Sequence, residues 1–85
     1  MNKITRPIID SFGNKFWYLD DTITFHREDG PAVEYANSDK FWYVNGNLHR
    51  TNGPAIQYAS GYKEYWISGK RYSSLEEWLM EQALG

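Results

Sequence analysis

Short apolar bursts separated by turn residues fill most of this chain, and one stretch of helical period follows them. Thr5 to Ser11 reads as a strand, with Ile8 and Ile9 apolar and Pro7 near its start, where an edge strand tolerates it. Phe12-Gly13-Asn14 is a turn, and Lys15-Phe16-Trp17-Tyr18-Leu19 is strongly β-prone. Asp20-Asp21 turns the chain into a second β-prone run, Thr22 to Phe25. Arg27-Glu28-Asp29-Gly30 predicts a tight turn in which Asp-Gly supplies the positive φ of a hairpin. Strands are then expected at Pro31 to Ala36, Lys40 to Val44, Asn47 to His49, Pro54 to Ala59 and Tyr62 to Ile67. Asn37-Ser38-Asp39, Asn45-Gly46, Arg50 to Gly53, Ser60-Gly61 and Ser68-Gly69 are the turns around them. Near the C-terminus Ser73 and Glu76 have capping-box spacing, and Leu75, Trp78, Leu79 and Gln82 share one helical face.

The pattern repeats. His26-Arg27-Glu28-Asp29-Gly30-Pro31-Ala32-Val33-Glu34-Tyr35-Ala36 returns, 23 residues on, as His49-Arg50-Thr51-Asn52-Gly53-Pro54-Ala55-Ile56-Gln57-Tyr58-Ala59. The single expected domain, 1–85, therefore divides into a half repeat (5–15), a first repeat (16–40), a second (41–63), a partial third (64–72) and a capping helix (73–84). The first repeat is two residues longer, an insertion between Asp20 and Phe25 that keeps strand parity. The fold class expected is mainly β, an antiparallel meander of tandem hairpins closed by a short helix.

Parity sorts the side chains. Val33 and Tyr35 share an apolar face and Ala32 and Glu34 a polar one; Ile56 and Tyr58, then Ala55 and Gln57, repeat this. The Phe-Trp-Tyr strands are apolar on both faces. A helix of about three turns is too short to cover such a sheet. Either part of an aromatic surface is left for a partner or a second copy, or the meander curls and buries both sides.

The stretch Trp42-Tyr43-x-Asn45-Gly46-x-x-His49-Arg50-x-Asn52-Gly53-Pro54-Ala55 resembles the variant MORN-type repeat of small bacterial and bacteriophage proteins. The likeness extends from Lys15 to Lys70; Asp20-Asp21 replaces Asn-Gly in the first repeat, and the third lacks His-Arg. The resemblance implies an array of hairpins of roughly 23 residues used for interaction, without a shared catalytic residue.

Composition narrows the function. The 85 residues carry no cysteine, a net charge of −2 and 18% aromatics. No thiolate metal site or disulfide is available, a broad nucleic-acid footprint is disfavoured, and no apolar run of membrane-spanning length exists. The start of the chain reads as lacking an apolar signal segment, so the cytoplasm (of a bacterial host, if phage-encoded) is the expected compartment. As metal ligands His26 and His49 would need a third donor, for which Asp29 is the nearest choice; they read as structural, bonding turn carbonyls or stacking on the next repeat's aromatic, with each following Arg lying over a Tyr or Trp ring. Ser73 and Ser74 are explained by capping, and the paired carboxylates sit in turns, so no enzyme, cofactor or metal is expected.

Charge is uneven: Phe16 to Lys40 holds six acids and two bases, Phe41 to Lys63 only Arg50 and Lys63. The leading expectation is a non-enzymatic protein-binding module, an inhibitor of a host or bacterial defence protein. Trp17, Trp42, Tyr65 and Trp66 would be its anchors, and Asp20, Asp21, Glu28 and Asp29 would steer it to a basic partner. A nucleotide-signal sponge using His26, Arg27, His49 and Arg50, and an assembly module that forms a homodimer, are the alternatives.

Overall fold

The computed structural model describes residues 5–20 and 22–84, so the predicted steering residue Asp21 lies outside the described residues. It is mainly β, an antiparallel meander with one C-terminal helix. Strands β1 (Thr5–Ile9), β2 (Lys15–Leu19), β3 (Val33–Glu34) and β4 (Lys40–Phe41) come first. They are followed by β5 (Tyr43–Val44), β6 (Asn47–Leu48), β7 (Ile56–Gln57), β8 (Lys63–Ile67), β9 (Lys70–Tyr72) and helix α1 (Leu75–Leu84). One sheet has the order β1-β2-β3-β4-β7-β8-β9, and β5-β6 form a separate hairpin. The molecule is a slab of 39 × 36 × 16 Å, thin because little but the sheet itself spans it.

Several strands are shorter than the β-propensity predicts. Thr22 to Thr24 is loop, and only Phe25 makes an isolated bridge, to Tyr18. Lys40 to Val44 splits at Trp42, where the chain changes partners. The Trp42 N–H donates to the Ala55 carbonyl (2.8 Å), while its own carbonyl accepts from the His49 N–H (3.0 Å). One Phe-Trp-Tyr segment thus serves two sheets. The Asn45-Gly46 and Ser68-Gly69 turns have positive φ at both positions, as tight hairpin turns require.

The same contacts recur 23 residues apart: Arg27 N–H to the Tyr43 carbonyl and Arg50 N–H to that of Trp66, Gly46 to Phe25 and Gly69 to Leu48. Each hairpin tip is thereby tied to the segment before it.

The two sheet faces differ in chemistry. One carries a continuous row of ring contacts, Tyr18–Phe25–Phe16–Tyr35–Phe41–Tyr58–Tyr62, with successive centroids 5.1–6.2 Å apart. The other follows from the registers Lys15↔Glu34↔Lys40↔Gln57↔Lys63, a ladder of charged and amide side chains. One step further along, the same registers place Ala32 between Trp17 and Trp42, and Ala55 between Trp42 and Tyr65. Ala32 and Ala55, expected on a polar face, are 0% exposed. Flanking aromatic rings, two indoles at Ala32 and an indole and a phenol at Ala55, leave no room for a larger side chain.

The helix closes the open end. Its cap is shifted one residue from the predicted Ser73–Glu76 box. Ser74 Oγ accepts from the Glu77 N–H (3.1 Å), and the Glu77 carboxylate accepts from the Ser73 N–H and hydroxyl. Trp78 is 5% exposed, lies against Tyr65 at 5.1 Å between centroids, and its indole N–H donates to the Arg50 carbonyl. Gln82 donates to the Thr51 carbonyl (2.7 Å), so the polar end of the predicted face is a docking contact. Leu75 and Leu79, on that same predicted face, stay exposed.

Candidate functional site

Both His-Arg dipeptides build the same clamp. The guanidinium carbon of Arg27 lies 3.9 Å from the Trp17 ring centroid, and that of Arg50 lies 3.9 Å from Trp42. On each, Nη1 donates to a proline carbonyl, Pro31 or Pro54, at 3.1 Å. Nε donates to Asp29 (3.1 Å) in the first clamp and to Asn52 (2.9 Å) in the second. Gly30 and Gly53 line the guanidinium too: a Cβ on either would meet the guanidinium carbon at 2.8 Å. Neither glycine has a positive φ, so the tight-turn reading of Asp-Gly gives way to close approach. The indole and the glycine together leave the edge of the guanidinium as its accessible part.

The histidines hold the clamps in place. Nδ1 of His26 accepts the Asn45 N–H (2.9 Å), and Nδ1 of His49 accepts the Ser68 N–H (2.9 Å). The imidazoles therefore accept hydrogen bonds from turn amides, in place of the expected bonds to turn carbonyls. An accepting Nδ1 puts the proton of a neutral ring on Nε2, which in His26 faces Glu28 Oε2 at 3.1 Å. His26 is 1% exposed and both its nitrogens are engaged.

The clamps diverge in charge. Arg27 Nη1 also bonds Glu34 Oε2 at 3.1 Å, so the first guanidinium has Asp29 and Glu34 as counter-ions. The second has Asn52 and Gln57 at those positions, and no carboxylate among the described residues makes an ion pair with it. Burial pulls the Arg50 pKa down from its ordinary value, in keeping with a cation partly removed from water without an anion beside it. A cleft of about 560 Å³ lies between the two loops, lined by Arg27, Glu28, Asp29 and Gly30 on one side and Trp42, Val44, His49, Arg50, Thr51 and Asn52 on the other.

The predicted site residues fall into separate places. Trp17 and Trp42 are half-buried in the clamps, Tyr65 is half-buried under Trp78, and Trp66 bonds Glu64 through its indole N–H (2.9 Å). Exposed aromatic surface is carried by Phe12 (80%) in the β1–β2 turn and by Tyr35 (40%) and Tyr62 (52%), the two tyrosines lying on the face opposite the clamp tryptophans. Burial raises the Tyr43 hydroxyl pKa, and nearby Tyr35 and Tyr58 add to it. Asp20, Glu28 and Asp29 are exposed, Glu28 held by His26 and Asp29 by Arg27. His26, Arg27, His49 and Arg50 do come together, as the clamps. The residues missed at the sequence level are Glu34, Gln57, Lys40 and Lys63; the aligned Glu34/Gln57 exchange was the available signal. No helix among the described residues is long and apolar enough to cross a membrane. Comparison with protein-family models, curated proteins and solved structures finds no match to this chain.

Proposed function

We propose that the chain is a non-enzymatic protein-binding module built from variant MORN-type hairpins. In this reading it is a phage-type inhibitor that blocks a host or bacterial defence protein, such as a CRISPR effector or nuclease, by steric occupation in the bacterial cytoplasm. The observation that carries the reading is the aromatic row across one face of a slab 16 Å thick, with Tyr35 and Tyr62 exposed on it. The contacts recurring at 23 residues support the tandem-hairpin part of it. Glu28 and Asp29, exposed beside the cleft, are placed to steer a basic partner.

A pull-down from bacterial lysate tests this, with tagged wild type beside Tyr35→Ser/Tyr62→Ser. Both tyrosines are exposed, so the variant is expected to stay folded. One protein retained by wild type and lost by the folded variant supports the module. Retention by neither sinks it. A second reading, a nucleotide-signal sponge, draws on the cleft and on Arg50. Against it, each indole already carries a guanidinium at 3.9 Å, so a base would have to displace the clamp to stack there. A rise in Tm with added cyclic or linear nucleotide would favour the sponge.

A further inference from the structure

We propose that Arg50, with Lys40 and Lys63 on either side of Gln57, is an open receptor for a carboxylate supplied by an acidic segment of a protein partner. This rests on the reading of the chain as a protein-binding module and says what one face of that module recognises.

The first clamp shows what the second lacks. Glu34 has Lys15 and Lys40 as its cross-strand neighbours and accepts from Arg27 Nη1 at 3.1 Å. Gln57 stands between Lys40 and Lys63 in the same way, 23 residues after Glu34, as Arg50, held by the same Trp, Gly and proline-carbonyl contacts, stands 23 residues after Arg27. Three cations thus surround a neutral amide where three cations surround a carboxylate one repeat earlier. The guanidinium's faces are occupied, and Nε and Nη1 are held by Asn52 and the Pro54 carbonyl, so the remaining Nη hydrogens are presented in one orientation, as in the Nη1 bond of Arg27 to Glu34. Little side-chain freedom remains to be lost on binding.

The surroundings favour a protein acid over a nucleic-acid backbone. Glu28 and Asp29 line the far side of the cleft and repel an extended run of phosphates, while a single side chain entering beside Gln57 avoids them.

The test is a titration of ¹⁵N-labelled full chain with an end-capped Gly-Ser-Glu-Ser-Gly peptide, which carries a single carboxylate, reading the arginine Nε–H and tryptophan indole signals. Expected are saturable shifts at Arg50 and Trp42 with Arg27 and Trp17 unmoved. Gln57→Glu should fill the receptor from within and weaken binding by about tenfold or more. Glu34→Gln should open a second receptor at Arg27 and Trp17. No shift at Arg50, or an unchanged response in Gln57→Glu, overturns the proposal. An equal response to inorganic phosphate overturns the assignment to a protein carboxylate. The pull-down judges the module and the titration judges the receptor, so one can fail while the other stands.

Discussion

The two His-Arg clamps have the same geometry and different electrostatics. Both guanidiniums sit 3.9 Å from their indoles, yet one has two carboxylate partners and the other has none among the described residues. Ion pairing therefore does not place these arginines. The indole, the proline carbonyl and the missing Cβ of glycine do. The acid is an addition to a clamp that stands without it, consistent with the small value of a half-exposed ion pair.

The sharpest way to break the symmetry is at the histidines. His26→Ala should cost about 3 kcal/mol, since it empties buried volume and strips the Asn45 N–H of its acceptor. His49 is more exposed, and His49→Ala should cost nearer about 1 kcal/mol. Urea unfolding of the pair reads the difference, and equal losses would mean that burial is not what separates them. Gly30→Ala and Gly53→Ala come next, at about 2 kcal/mol each, because a Cβ 2.8 Å from the guanidinium carbon must drive the arginine off its ring. The two should match, and each should move its indole signal. A loss at Gly30 alone would mean that the counter-ions hold the clamp after all.

Gln57→Glu is smaller and of opposite sign. It should stabilise by about 0.5 kcal/mol at low salt, with Glu34→Gln destabilising by a similar amount, and both effects should shrink as salt is raised. The smallest effect lies in the turn before the first clamp, where Asn14 bonds the Ala36 N–H as Asp39 bonds that of Ala59. Asp10 steadies that turn, and its pKa is lowered from the ordinary carboxylate value, chiefly through the Asn14 side-chain hydrogen bond. A depressed carboxylate pKa stabilises above the unfolded value and loses that contribution as pH falls through the folded one. The Phe12 and Asn14 amides should therefore lose protection from exchange on acidification below pH 3.8, while the Asp10→Asn variant shows no such step.

Much of the fold was legible in the residues, and the reasons are local. Asn45-Gly46, Ser60-Gly61 and Ser68-Gly69 are turns whose chemistry is complete within two residues, and the strands beside them start close to where expected. Thr22 to Thr24 has strand-forming residues without a continuous partner, and propensity alone cannot supply one. The split at Trp42 depends on two partners distant in sequence, so no window around Phe41 to Val44 contains it. Ala32 and Ala55 read as the solvent side because their neighbours in the chain are polar. Their neighbours across the sheet are Trp17, Trp42 and Tyr65. For the site, His-Arg over an aromatic ring was readable from residue type. Which ring, which face, and the unfilled place beside Gln57 required the register.

The spacing between Glu34 and Gln57 has a consequence for how such a chain could change. They lie on β3 and β7, two rungs apart with β4 between, which sets them roughly 10 Å from each other across the sheet. Further hairpins would extend this comb at the same pitch, each tooth self-occupied when it carries Glu and vacant when it carries Gln. Since each clamp holds either way, valency becomes a property written one side chain at a time on a scaffold that need not be redesigned.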